Sequence, residues 1–129
     1  MTIADALADT SMFIAIEQGR PLRLAPPSSV AVSCVTIAEL LLGVLTAGTP
    51  EQRRLRVATL RDAQRAEPLL VDGAVAEAWA RLTDETREQK RSRDSNDSWI
   101  AATAIAHGIP VVTQDAGFAR VPGLEVIRV

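Results

Sequence analysis

The 129 residues hold one cysteine, Cys34, and one histidine, His107. One thiol excludes an internal disulfide framework and any cysteine-based zinc finger, and one imidazole excludes sites built on two histidine ligands. Tyrosine is absent, and Trp79 and Trp99 are the only large planes. Both read as core residues, so recognition of bases by aromatic stacking is not visible. No apolar run reaches the roughly 18–20 residues of a membrane span, and no basic stretch followed by an apolar one opens the chain. These absences predict a soluble protein of a reducing cytoplasm with no membrane contact. Charge of one sign is missing too: 14 basic against 16 acidic residues leave a net charge of −2, which excludes general attraction of the whole chain to nucleic acid.

What is present is an ordinary globular balance, 47% hydrophobic and 23% charged. The length suits a single domain over 1–129, large enough to bury about two-thirds of the unfolded surface. All the basic residues except Lys90 are arginines, and most fall in two stretches. Arg53, Arg54, Arg56, Arg61 and Arg65 form one; Arg87, Lys90, Arg91 and Arg93 form the other. Arginine suits bidentate recognition of phosphate or carboxylate, although each stretch also reads as a solvated helix face.

Turn residues at Gly19–Pro21, Pro26-Pro27, Gly48–Pro50, Pro68, Gly73, Gly108–Pro110 and Pro122-Gly123 divide the chain into alternating strand-like and helix-like segments. Strands are predicted over Ala6–Asp9, Val30–Val35, Leu69–Val71, Val111–Thr113 and Leu124–Val129. Helices are predicted over Ser11–Gln18, Thr36–Thr46, Pro50–Arg65, Ala74–Arg91 and Asn96–His107. Thr36-Ile37-Ala38-Glu39 matches a capping box at the second helix, and Gly108 suits the residue that closes the last one. Asn96–His107 is apolar nearly all round, the mark of a buried helix; His107 fits its C-terminal dipole better than a catalytic base. Apolar strands separated by helices predict an α/β fold with a mostly parallel sheet covered on both faces.

Four acids occupy positions that this topology makes special. Asp9 ends the first strand, Glu39 opens the helix after the second, Asp97 heads the buried helix, and Asp115 follows Val111–Thr113. In an open parallel sheet the carboxyl ends of strands and the N-termini of the following helices share one edge, where ligands bind. Each acid also has a purely structural reading: Asp9 as a helix cap, Glu39 as half of a capping box, Asp97 in a favourable first turn, Asp115 in an Asp-Ala-Gly turn. Chain order alone puts Asp9, Glu39 and Asp115 on that edge, and Asp97 joins them if its helix packs with its N-terminus toward the same crevice; four separate caps do not explain one shared edge. Carboxylates crowded together repel, and a divalent cation removes that penalty. With no thiol or second imidazole, an all-oxygen shell suits Mg²⁺ or Mn²⁺, and such ions commonly handle phosphate oxygens.

Leu7-Ala8-Asp9-Thr10-Ser11, Thr36-Ile37-Ala38-Glu39-Leu40, Asn96–Ala104 and Val112-Thr113-Gln114-Asp115, followed by Val121–Val126, resemble PIN-domain ribonucleases, and more narrowly the VapC toxins of VapBC toxin–antitoxin pairs. The resemblance runs along essentially the whole chain, and Asn96–Ala104 is its most specific stretch. It implies a three-layer α/β/α PIN-like domain with a mostly parallel sheet of about five strands. It also implies an Mg²⁺- or Mn²⁺-dependent endoribonuclease, neutralised by a cognate VapB-type antitoxin. Carried over by position, Asp9, Glu39, Asp97 and Asp115 form the acidic quartet, with Asp9 and Asp97 as direct metal ligands. Thr10 or Ser11, Asn96 and Thr113 would stand behind them and orient the carboxylates. In one departure, many relatives carry a further acid where this chain has Gly117, just before Phe118; Asp94 is a possible accessory acid.

The chemistry implied is in-line hydrolysis of an RNA phosphodiester, with Glu39 or Asp115 positioning or deprotonating the water. Arg53, Arg54, Arg91 and Arg93 are candidates for holding the RNA backbone. The helix over Ile37–Leu45 carries more apolar surface than one sheet face needs, which points to an antitoxin groove or a homodimer contact lined also by the arginine-rich helix. A catalytically degenerate PIN-like module that only binds RNA or protein is the alternative. A receiver domain is disfavoured because Asp9 lacks an adjacent acid and Lys90 is the only lysine; a haloacid-dehalogenase-type phosphatase is disfavoured because Asp9-Thr10-Ser11 stands where Asp-x-Asp is needed.

Overall fold

The computed structural model describes residues 4–87 and 95–129. Lys90, Arg91, Arg93 and Asp94 lie outside the described residues. Four short strands, β1 (Ala6–Ala8), β2 (Val30–Val32), β3 (Val111–Thr113) and β4 (Val126–Arg128), form an all-parallel sheet in the order β2-β1-β3-β4. The helices are α1 (Thr10–Glu17), α2 (Cys34–Leu45), α3 (Pro50–Ala63), α4 (Gly73–Thr86) and α5 (Ser95–His107), with a 3₁₀ turn over Ala116–Arg120.

The period-two pleat of β1 divides the core. Ala6 and Ala8 face a cluster with Met12, Phe13, Leu40 and Ala63, from α1, α2 and α3. Leu7 faces the opposite cluster with Leu82, Ile100, Ala101 and Ala104, from α4 and α5. Both faces of β1 are therefore sealed, which produces the three-layer α/β/α arrangement and explains why its residues are apolar without alternation. Helix α5 buries Ile100 through Ala104 consecutively. It ends in a Schellman motif: Gly108 has φ +65°, and Ile109 N donates to Ala104 O while Gly108 N donates to Ile105 O. Three residues later the chain enters β3, so α5 runs antiparallel to it and its first turn returns to the carboxyl edge of the sheet.

Three predicted features come out differently. The second helix begins at Cys34, not Thr36; its N-cap is Ser33, whose Oγ accepts from Val35 N at 3.0 Å. β2 stops at Val32, so the cap falls three residues earlier, and the Thr36–Glu39 capping box does not exist. The expected fifth strand, Leu69–Val71, contracts to one parallel bridge between Ser33 and Leu69. Leu70 and Val71 find no cover and are exposed, and the chain turns away because Asp72 caps α4 through Val75 N at 3.0 Å. Trp79 and Trp99 are half-buried instead of core. They stack on each other between α4 and α5, with centroids 4.7 Å apart and planes 9° from parallel.

Candidate active site

The carboxyl ends of β1 and β3 lie side by side because Asp9 N donates to Val112 O at 2.9 Å, extending their ladder by one residue. That bond sets the Asp9 side chain beside Thr113. Asp9 is the N-cap residue of α1 by position, yet its carboxylate makes no capping hydrogen bond. Instead Oδ2 accepts from Thr113 Oγ1 at 2.7 Å and from Ser11 Oγ at 2.8 Å. Asp9 is only 2% exposed. Both hydroxyls are themselves held by backbone: Ser11 Oγ accepts from Gln114 N at 3.0 Å, and Thr113 Oγ1 from Asp115 N at 2.9 Å. One carboxylate oxygen is thus fixed from two sides by residues more than a hundred positions apart in sequence.

Glu39 occupies the second turn of α2, where no capping role exists. Thr10 Oγ1 lies 2.8 Å from Glu39 Oε1 and 3.0 Å from the fully buried Thr36 Oγ1. A hydroxyl has one proton, and the shorter, charge-assisted bond to the carboxylate takes it. Thr36, which the sequence marked only as a helix cap, is therefore part of the support behind Glu39. Thr10 and Ser11 are consecutive, so the first turn of α1 orients two different acids.

Helix α5 places Asp97 in its first turn, and Asn96 lines the same cavity as Glu39. Asp115 is exposed, and its Oδ1 accepts from Gly117 N at 2.8 Å to cap the 3₁₀ turn. Its side chain thus performs the turn function open to it from sequence, while its backbone N–H braces Thr113. A side chain at Gly117 would crowd Asp115 Oδ1, 3.2 Å from an ideal Cβ. Arg53 and Arg54 stand exposed on the first turn of α3, on a surface shared with Pro50, Val57, Ala58 and Arg61 and separate from the cavity at Glu39. Arg91 and Arg93 lie outside the described residues.

Burial of Asp9 has an electrostatic consequence. Ion pairs join Arg65 to Asp62, Arg81 to Glu77 and Arg87 to Asp84, all on exposed side chains of α3 and α4 or just past their ends. Among the described residues no Lys, Arg or His pairs with Asp9. Two neutral hydroxyls satisfy Oδ2 but bring no positive charge to it, an arrangement that burial makes costly. Among the described residues no three His, Cys, Asp or Glu side chains gather into a group able to hold a metal ion by themselves. An all-oxygen donor set with a buried, oriented carboxylate fits a hard cation bound by one or two carboxylates and retained water, which is the habit of Mg²⁺; a closed protein cage is not present among these residues.

The sequence profile of the PIN domain matches residues 6–124. The chain belongs to the PIN domain family. Along its whole length this PIN domain is 51% identical to Ribonuclease VapC4 of Mycobacterium tuberculosis, with 100% of both chains covered. It is 46% identical to Ribonuclease VapC5 of the same organism, over 99% of this chain and 98% of that one. A crystal structure of VapBC-5, a toxin–antitoxin system member from M. tuberculosis, shares the fold with a TM-score of 0.87 at 43% identity, covering 98% of this chain and 100% of that one. A DNA-bound VapBC from Salmonella typhimurium, 23% identical with a TM-score of 0.83, shows the same fold over 98% of each chain.

Proposed function

We propose that this PIN domain is an Mg²⁺- or Mn²⁺-dependent endoribonuclease, the toxin of a type II toxin–antitoxin pair, acting in the cytoplasm and neutralised by a VapB-type antitoxin. The observation that carries the catalytic reading is the buried, hydroxyl-locked carboxylate of Asp9 at the carboxyl edge of a parallel sheet. Ribonuclease names on full-length relatives support the substrate class, and toxin–antitoxin complexes of the same fold support the partner.

Asp9 and Asp97 would hold the cation, with Glu39 and Asp115 completing the acidic edge. When bound, the ion supplies charge to offset the phosphoryl oxygens and lowers the pKa of a water. The remaining work falls to the chain. Ser11 and Thr113 keep Asp9 in one orientation, so no reorganisation is needed when substrate arrives. Thr10 orients Glu39, whose carboxylate would position the attacking water and, with Asp115 as the other candidate, accept its proton. The water oxygen forms a bond to phosphorus as the bond to the leaving ester oxygen breaks, and a proton from solvent or a neighbouring acid completes the leaving hydroxyl. Arg53, Arg54, Arg91 and Arg93 would hold the RNA backbone at a distance from the acids.

The antitoxin has a surface to cover. Leu42 and Leu45 on α2 are 60% and 64% exposed, and Leu41 on α2 and Leu55 on α3 are exposed as well. These side chains are costly to leave in water and suit an apolar segment of the antitoxin or a second copy of the chain. The lack of a three-acid cage among the described residues favours one competitor, a PIN module that binds RNA or protein without cutting it. Labelled single-stranded RNA incubated with the purified protein separates the two. Cleavage that needs Mg²⁺ or Mn²⁺, stops in excess chelator and disappears in Asp9→Asn is expected; intact RNA with folded protein and Mn²⁺ supplied would leave the binding module.

A further inference from the structure

A cavity of about 360 Å³ opens beside the acidic edge, between α1, α2, α3 and the first turn of α5. Its size falls within the range of small-molecule sites. Ile14, Leu40 and Leu42 give it apolar walls; Gln18, Arg56 and Asn96 give it hydrogen-bonding groups; Glu39 belongs both to its lining and to the acidic edge. Resting on the nuclease reading above, we infer that this cavity is a nucleobase subsite: it receives one unstacked base of the single-stranded RNA whose phosphate lies at Asp9.

Four observations support a base as the occupant. First, the cavity is continuous with the acidic edge through Glu39, so a nucleotide next to the reacting phosphate has only a short path into it. Second, its lining mixes flat apolar contact with donors and acceptors, which is what the face and the edge of a base require. Third, polar capacity remains in it. The Gln18 amide makes no hydrogen bond with the described residues, and a glutamine can engage an adenine with donor and acceptor together. The Arg56 guanidinium is anchored by Nη1 to Gly43 O at 2.7 Å, which fixes the group while its other N–H groups stay available. Fourth, among the described residues no aromatic side chain lines the cavity, and Trp79 and Trp99 are stacked on each other between α4 and α5. Base selectivity in this cavity therefore comes from an apolar slot with a polar end.

The test is cleavage of a random-sequence single-stranded RNA pool by the full chain, with cut sites sequenced, for the native protein and for Gln18→Ala and Leu42→Ala. The native protein is expected to favour particular bases at one position near the cut. Gln18→Ala is expected to lower that preference roughly 10-fold while preferences at other positions persist, a pattern that partial unfolding cannot produce. Cut-site profiles identical to native in both variants would overturn the subsite and leave the cavity to the antitoxin. If the native protein cuts nothing, the nuclease reading fails separately. The subsite is then judged by binding of pentanucleotides, each abasic at one position, to the native chain. One position whose base loss weakens binding several-fold, and does so less in Gln18→Ala, supports the subsite; equal binding by all of them overturns it.

Discussion

The corner around Asp9 and the outer face of α2 violate folding economy in opposite ways. At Asp9 a carboxylate is buried with Oδ2 held by Ser11 and Thr113, but no cationic side chain among the described residues pairs with it. On α2 the reverse holds: no charge is misplaced, yet Leu41, Leu42 and Leu45 stand in water. Each region is incomplete in the currency it lacks, a cation at one and apolar cover at the other. A fold selected for stability alone would neutralise Asp9 and make α2 polar, so both costs point to ligands that bind there.

This contrast can be broken most severely at the buried end. Asp9→Asn removes the charge but retains an oxygen that can accept from Ser11 and Thr113. RNA cleavage is expected to fall about 10²–10³-fold, while the melting temperature measured without metal stays level or rises, because a buried charge without a cationic partner has gone. A clear drop in melting temperature would mean that the charge is satisfied in the free protein. Thr113→Val keeps the shape and deletes the donor to Asp9 together with the acceptor for Asp115 N. A 10–100-fold loss of activity and about 1–2 kcal/mol of stability should appear in kinetics and chemical denaturation. Thr10→Val should act similarly through Glu39, with the smaller stability loss because one side of that pair is less buried.

Smaller effects are expected on the exposed side. Leu41→Ser with Leu45→Ser should change folding stability by no more than about 0.5 kcal/mol per site, yet reduce self-association or antitoxin affinity measured by light scattering and calorimetry. A large loss of stability would show that these leucines serve the core instead. The mildest change is Arg53→Gln with Arg54→Gln. It should lower the slope of log affinity for single-stranded RNA against log salt by about 0.7 per phosphate contact removed. An unchanged slope would remove these arginines from the RNA path.

The order of strands and helices was legible because each segment is bounded by a turn residue and has one clear period. Gly108 announced the end of α5, and the nearly unbroken apolar run before it announced a buried helix. Helix starts were harder. Ser33 and Thr36 are both competent caps, and only the three-residue length of β2 selects Ser33. Leu69–Val71 has strand composition, but whether it finds a neighbour depends on sheet order, which local sequence does not encode. Placement of Asp9 and Glu39 at strand and helix ends was readable from connectivity, since a parallel sheet fixes which ends share an edge. What supports them was less so: Ser11 reaches Asp9 from two residues away, but Thr113 reaches it across the chain, and Thr36 had passed for a cap. Asp115 carried two readings, a site acid and an Asp-Ala-Gly turn, and the structure shows one of its oxygens on the turn at Gly117.

The most direct measurement is a calorimetric titration of Mn²⁺ into the RNA-free protein, native and Asp9→Asn side by side. Saturable binding to the native chain that is lost or weakened by at least tenfold in Asp9→Asn is the expected result. Equal heats from the two proteins, or none from the native one, would contradict a cation at the Asp9 corner.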